Sequence, residues 1–392
     1  MAVTRARVDQ VDPADRIARL APEPNALILE WAAGGSDRFH HVWLRDNCLC
    51  PRCRHASGQR LIDPLDLPAD PKPRAASLDG DGALVIRWEP DGHESRYPAS
   101  WLRRHAYGSA ARAERRRRPV LWGREIGERL PEGRYAQAFA DPAEERLWLG
   151  LLLDHGFALL RGVPIENGQV AAVGDRIGFV RVTNYGRLFD VVSVPDPNNL
   201  AYTAAALGVH TDNPYRDPTP GYQLLHCLEA GAPGGDTLLV DGFRAADQLR
   251  AEDPEALALL ARHARPFRFA DVGADLVARF PVIGLGPEGE VREIHFNERS
   301  AAPLDLTEEL VEPYYRAYRR FAAILRRPEN ELVIRLAPGD LLVMENGRAL
   351  HGRTGFDTAA GRRWLQGCYV DKDGVESRLR VLERQAGEGT RP

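Results

Sequence analysis

His210 and Asp212 stand two residues apart in Val209-His210-Thr211-Asp212-Asn213-Pro214. On an extended segment alternate side chains share a face, so this imidazole and carboxylate can grip one metal ion together. A second imidazole would complete a 2-His-1-carboxylate triad, the donor set that leaves coordination positions open for oxygen chemistry at Fe(II). The candidate is His351, in Asn346-Gly347-Arg348-Ala349-Leu350-His351-Gly352-Arg353. A lone H-x-D is a weak signal, since chance supplies many. With eleven histidines in the chain, most must be structural. His226 lies in the apolar run Leu224-Leu225-His226-Cys227-Leu228 and reads as a core residue, while His295 stays ambiguous. Arg353 and the pair Arg362-Arg363 follow the second motif. A guanidinium grips a carboxylate through two hydrogen bonds, so one of these arginines suits a dicarboxylate co-substrate.

A second constellation is Cys48-Leu49-Cys50-Pro51-Arg52-Cys53, with Cys227 and Cys368 standing alone elsewhere. Three thiolates and one imidazole close a tetrahedral zinc site with no open position, which serves folding and not catalysis. Spacing leaves both His55 and His93 open as the fourth ligand. Free buried thiols are the plainer alternative.

The elements that must position these groups are mostly strands. Ala26–Trp31 and 83–88 are short β-prone runs, the second led in by Asp79-Gly80-Asp81-Gly82, and together they suggest a small β-rich domain. Glu144 to Asp154 has helical apolar spacing (Leu147, Trp148, Leu151, Leu152), and 156–160 reads as the strand after it. Further strands are expected at 223–228, 237–240 and 341–344, and an amphipathic helix within 305–327. Short strands joined by Gly and Pro turns argue for a β-sandwich or jelly roll and against a doubly wound sheet.

A chain of 392 residues, 44% hydrophobic and 28% charged, has the composition of a globular protein with a full core. Its net charge of −4 gives no reason to expect nucleic acid. The basic stretch at Arg112 and Arg115–Arg118 reads as a solvated linker helix. No apolar run reaches the length of a membrane span. The first twenty residues lack a signal-peptide core, and Asp9, Asp12 and Asp15 argue against a transit peptide, so a cytoplasmic location is expected.

Several longer stretches now join the pattern: Trp43-Leu44-Arg45-Asp46-Asn47-Cys48, Asn198 to Thr203, and Gly234 to Gly242. With the H-x-D, the distal His351-Gly352-Arg353 and Arg363, they resemble the Fe(II)/2-oxoglutarate dioxygenases of the taurine dioxygenase superfamily. More closely, the chain is similar to the γ-butyrobetaine and trimethyllysine dioxygenase family from about residue 26 to Leu382. The resemblance implies a mainly β protein with flanking helices. A small N-terminal zinc-binding β domain (1–108) and a basic linker (109–135) would precede a double-stranded β-helix, or jelly-roll, catalytic domain (136–392).

It further implies Fe(II) on His210, Asp212 and His351, and zinc on Cys48, Cys50, Cys53 and His93. Arg363, Asn199 and Thr237 would serve the co-substrate 2-oxoglutarate, with ascorbate a candidate reductant. An aromatic cage for a trimethylammonium group would fall on Tyr185, Phe189, Tyr202 and Tyr369, and Asn297 would lie near the far end of the substrate. Phe189 replaces a tryptophan of the animal butyrobetaine enzyme, which weakens the cation–π attraction.

The implied activity is hydroxylation of a trimethylammonium substrate by O2, foremost γ-butyrobetaine to L-carnitine with release of succinate and CO2. Trimethyllysine and a trimethylammonium phosphonate are the rivals, because 296–303 departs from the animal butyrobetaine pattern and leaves the roles of Glu298 and Arg299 open. A quaternary-amine-binding β-sandwich without turnover is the rival from another class. The family's habit implies a homodimer.

Overall fold

The computed structural model describes residues 13–192, 204–357, 359 and 361–387. The chain divides into two compact units between Arg117 and Arg118.

In the first unit, β1 (Ile17–Pro22), β2 (Ala26–Trp31) and β3 (Ser36–His40) form one antiparallel sheet. A second consists of β4 (Lys72–Leu78), β5 (Leu84–Glu89) and β6 (Glu94–Tyr97). Along β5, Leu84, Ile86 and Trp88 are buried and Arg87 and Glu89 exposed, the period-2 pattern of a strand with one face on a core. That core also takes in Leu27, Leu29, Phe39 and Tyr97. The turn before β5 is built by Asp79, whose Oδ1 accepts from the backbone N–H of Asp81 and Ala83, both at 3.0 Å. The helix Ser109–Arg115 buries no residue, as a solvated basic stretch should.

The second unit is organised on two facing sheets. The larger runs in the order β10 (Phe189–Val192), β21 (Arg363–Val370), β12 (Tyr222–Ala230), β19 (Leu341–Glu345), β8 (Phe157–Arg161), β7 (Glu132–Arg134), with β9 (Val180–Arg181) also on β21. The smaller runs β11 (Leu207–His210), β20 (Ala349–Arg353), β13 (Thr237–Asp241), β18 (Leu332–Ile334).

Strand periodicity divides the central strands cleanly. Leu224, Leu341, Val343, Cys368 and Val370 face the helices Pro142–His155, Gln169–Ile177 and Lys372–Gln385. Leu225, Cys227, Leu342, Met344 and Leu365 face the smaller sheet, where they meet Leu239, Leu332 and Ile334. Strands buried on both faces read as unbroken apolar runs, which is why 223–228 and 341–344 stand out in the sequence. This is the double-stranded β-helix expected. The pairs β14 (Ala264–Ala270) with β15 (Asp275–Pro281), and β16 (Ile283–Leu285) with β17 (Val291–Ile294), stand apart as two-stranded ribbons.

The helix Pro142–His155 shows how local sequence sets an element. Asp141 caps it by accepting from Ala143 N–H at 2.8 Å, proline follows at the first turn, and Gly156 closes it by donating to the Leu152 carbonyl at 2.8 Å. The helical spacing is right, but its inner face is one residue over from the expected one. Trp148, Leu149 and Leu152 are buried, and Leu147 is exposed. Glu145 turns inward because Arg176 and Arg378 reach its carboxylate at 2.9 and 2.6 Å.

Candidate active site

β11 and β20 pair antiparallel with His210 directly opposite His351. Their ring centroids lie 4.4 Å apart. Strand pairing ends at His210, so Asp212 lies just past the strand and not on it. Two contacts hold it close nonetheless. Thr211 N–H donates to the Phe296 carbonyl at 2.8 Å. Asn346 takes Asp212's backbone from both sides: its Oδ1 accepts from Asp212 N–H at 2.7 Å and its Nδ2 donates to Asp212 O at 2.9 Å. Sequence reading assigned Asn346 no role, although it stands in the same motif as His351.

The donor atoms of His210, Asp212 and His351 all lie within 4.8 Å of one another. His210 donates its Nδ1–H to the Gly208 carbonyl at 2.9 Å, which turns the Nε2 lone pair toward Asp212 Oδ1, 3.3 Å away. Two acceptors facing each other at that range call for a cation between them. Burial and then His210 push the His351 imidazole down to about 3, so it is neutral at pH 7, as a ligand must be. Asp212 accepts from Gln223 Nε2 and Tyr369 OH, each at 2.7 Å, and such hydrogen bonds favour the ionised carboxylate. Two imidazoles and one carboxylate fit Fe(II).

The triad opens into a cavity of about 480 Å³ in the second unit. Of the expected site residues, Tyr185, Phe189, Thr237, Asn297, Arg363 and Tyr369 line it together with the triad. Asn199 and Tyr202 lie outside the described residues. Asn297 has its amide committed to backbone: Nδ2 donates to Thr211 O at 2.9 Å, and Oδ1 accepts from Arg299 N–H at 3.1 Å. His226 is fully buried on β12 and does not line the cavity. His295 is also away from it, stacked on Phe280 with centroids 4.3 Å apart.

The positive end of the cavity follows from the 234–237 turn. Gly235 has a positive φ of 70°, and a Cβ there would fall 2.7 Å from Arg363 Cδ. The glycine therefore both makes the turn and leaves room for Arg363, whose Nε donates to the Gly235 carbonyl at 3.0 Å. Arg353, two residues beyond His351, enters the same space. Burial, and the charges of Arg363 and Arg299, push its guanidinium down to about 10.

The cavity is also lined by aromatic rings. Phe189 and Tyr369 meet at 5.1 Å between centroids. Tyr215 stacks on Phe269 at 5.2 Å, and Tyr185 tilts against Phe269 at 5.8 Å. Tyr215 and Phe269 were not singled out from sequence. Tyr215 directly follows the H-x-D-N-P stretch, which was a usable signal; Phe269 comes from the β14–β15 ribbon and carried none. Gly367 lies opposite Phe189 across β10–β21, and a Cβ on it would fall 2.6 Å from the Phe189 ring.

In the first unit, Cys48, Cys50, Cys53 and His93 bring their donor atoms within 4.8 Å of one another. His93 Nε2 lies 3.2 Å from Cys48 Sγ and 3.6 Å from both other sulfurs. His55 bonds its neighbour Ser57 instead. None of the five cysteines is in a disulfide. Burial pushes the Cys48 thiol up to about 11, a cost that metal ligation removes by taking the thiolate. Arg45 Nη1, 3.7 Å from Cys53 Sγ, offsets the surplus negative charge of three thiolates on one divalent ion. A closed Cys3His donor set fits structural zinc.

Facing sheets that carry this triad beside a buried arginine define a class, the Fe(II)/2-oxoglutarate-dependent oxygenases, and comparison with known proteins agrees. The family described as taurine catabolism dioxygenase TauD, TfdA matches residues 85–369, and the one described as gamma-butyrobetaine hydroxylase-like, N-terminal, matches residues 18–105. The chain belongs to the TauD/TfdA dioxygenase family. It is 40% identical to a gamma-butyrobetaine dioxygenase of Pseudomonas sp. (strain AK-1), over 94% of this chain and 96% of that one. It is 32% identical to the human gamma-butyrobetaine dioxygenase, over 92% of this chain and 95% of that one. It is also 34% identical to the human mitochondrial trimethyllysine dioxygenase, over 89% and 84%. The protein is a dioxygenase that acts on a small molecule with O2. No helix among the described residues is long and apolar enough to cross a membrane.

Proposed function

We propose that the protein hydroxylates γ-butyrobetaine to L-carnitine, consuming O2 and 2-oxoglutarate. The observation that carries this is that one cavity is lined by the triad, by the aromatic rings of Tyr185, Phe189, Tyr215, Phe269 and Tyr369, and by the buried arginines Arg353 and Arg363. A trimethylammonium group has no N–H to donate, so only π-faces can replace its lost hydration. Tyr185, Phe189 and Tyr369 offer such faces, with Tyr215 and Phe269 behind or beside them.

His210, Asp212 and His351 would hold Fe(II), and Arg363 would pair with the distal carboxylate of 2-oxoglutarate beside Thr237. When bound, the iron and co-substrate activate O2 to replace an unactivated C–H by C–OH, with succinate and CO2 released. The chain's own contribution is positional. The aromatic wall fixes the cationic head, so that a methylene of the chain is brought to the triad. Buried apolar residues Leu207, Leu225 and Leu365 line the cavity and limit water. Cys48, Cys50, Cys53 and His93 would bind zinc and close the first unit. A homodimer in the cytoplasm, as the family resemblance implies, completes the reading.

One observation supports a second substrate. Arg299 lines the cavity as an exposed side chain, and among the described lining residues it joins Arg353 and Arg363 against one carboxylate, Asp212, the fourth arginine, Arg268, being paired with Asp275 at 2.8 Å. A doubly charged phosphonate tail would meet that surplus better than a carboxylate does. Competing γ-butyrobetaine, trimethyllysine and 2-(trimethylammonio)ethylphosphonate against one another separates the readings. A dominant kcat/KM for γ-butyrobetaine supports the proposal, and a dominant value for either rival replaces it.

A further inference from the structure

Asp212 Oδ2 accepts two short hydrogen bonds, from Gln223 Nε2 and from Tyr369 OH, each at 2.7 Å. The donors are cross-strand partners: Gln223 on β12 stands directly opposite Tyr369 on β21. They reach from the larger sheet to a carboxylate two residues past the end of β11. Gln223 is buried, and its amide orientation follows from chemistry, because the reverse would set Oε1 against a carboxylate oxygen. Asp212's other oxygen, Oδ1, is the one 3.3 Å from His210 Nε2, while Oδ2 stands 3.8 Å from His351 Nε2.

We infer that Gln223 and Tyr369 are positioning residues that keep Asp212 a one-oxygen ligand and so hold open the sites that 2-oxoglutarate and O2 require. A carboxylate oxygen has two in-plane lone pairs, and two donors occupy both of them on Oδ2. Only Oδ1 is then left for the metal. Three ligands of one atom each would leave the ion room for the keto acid and O2. A carboxylate free to chelate through both oxygens would take part of that room. Tyr369 also lends its ring to the aromatic wall beside Phe189, so one side chain serves both the substrate's cation and the metal's carboxylate.

The inference rests on the iron reading above, and the test separates the two. Fe(II) and 2-oxoglutarate affinities are measured anaerobically on the full chain, the latter from the metal-to-ligand charge-transfer absorption of the ternary complex. The variants are Gln223→Met and Tyr369→Phe, which keep bulk and ring but delete one donor each, with Asp212→Ala as control. Each variant is expected to weaken 2-oxoglutarate by roughly tenfold, to shift the charge-transfer band and to bind Fe(II) no more weakly than wild type. Weaker Fe(II) binding with an unchanged 2-oxoglutarate titration would overturn the inference, since the donors would then merely support the ligand. So would no change in either affinity. If Asp212→Ala binds Fe(II) like wild type, the iron reading itself fails first.

Discussion

His210 and His351 are directly paired residues of neighbouring antiparallel strands, 4.4 Å apart between ring centroids, although 140 positions separate them in the chain. The ladder between β11 and β20 thus sets the metal-binding geometry before any ion arrives. A pre-set site costs little reorganisation on binding, and removing one donor leaves the rest in place. Asp212→Ala should therefore abolish turnover and iron binding while leaving the circular dichroism spectrum of the metal-free protein nearly unchanged. Retained iron binding in that variant would remove Asp212 from the ligand set.

Arg363 is pinned by the Gly235 carbonyl and by the room that Gly235 leaves. Arg363→Ala should raise KM for 2-oxoglutarate steeply, by a loss of about 2–5 kcal/mol for a desolvated charge pair. The Kd of the trimethylammonium substrate should hold. Gly235→Ala should produce a weaker version of the same defect, because its Cβ would displace Arg363. A 2-oxoglutarate titration superimposable on wild type in Arg363→Ala would hand the role to Arg353.

One position allows the aromatic wall to be probed without touching a ring. A Cβ at Gly367 would push Phe189 away from Tyr369, so Gly367→Ala should raise KM for the cation several-fold and spare 2-oxoglutarate. Tyr185→Leu removes a π-face worth about 0.5–2 kcal/mol when desolvated. It should weaken the trimethylammonium substrate but not an isostere with a tert-butyl head. Equal binding of the cation and the neutral isostere by wild type would show that the wall is only apolar.

The first unit should depend on its metal. Elemental analysis should find one zinc per chain that survives brief exposure to a weak chelator. Cys50→Ser should lower the melting temperature of the zinc-loaded protein and make the first unit sensitive to proteolysis, because a small metal-closed fold unfolds without its ion. A zinc-free preparation with wild-type stability would show that the four side chains are mere neighbours.

Glu145 gives the fold an acid limit. Burial would raise its carboxyl, but hydrogen bonds from Arg378 and Arg176 outweigh that and hold it below its ordinary value. A depressed folded-state value contributes stability that is present above the unfolded carboxyl's pKa and lost as pH falls through the folded one. Glu145→Gln should cost about 1.5–3 kcal/mol at pH 7, measured by denaturant unfolding. The difference from wild type should shrink on acidification; a difference independent of pH would mean that the charge contributes nothing.

Much of this was legible because it is local. The H-x-D pair and the cysteine cluster each lie within a few residues, and the runs at 223–228 and 341–344 are apolar because both faces of their strands are covered. What was hidden comes from partners across the fold. Gln223 looks like the polar start of an apolar strand until Tyr369 is seen opposite it. Phe269 belongs to a ribbon, 264–281, whose strands carry no strong alternation. Gly367 matters only because Phe189 pairs with it. Asp212 reaches the histidines through Asn346 and not through continued strand geometry.

The most direct measurement is isotopic. Purified, iron-loaded protein is given γ-butyrobetaine, 2-oxoglutarate and 18O2, and the products are read by mass spectrometry. Hydroxylated product carrying one atom of label, formed in a one-to-one ratio with succinate and lost in Asp212→Ala, is the outcome required. Succinate release that γ-butyrobetaine does not stimulate, with no labelled product, would contradict it.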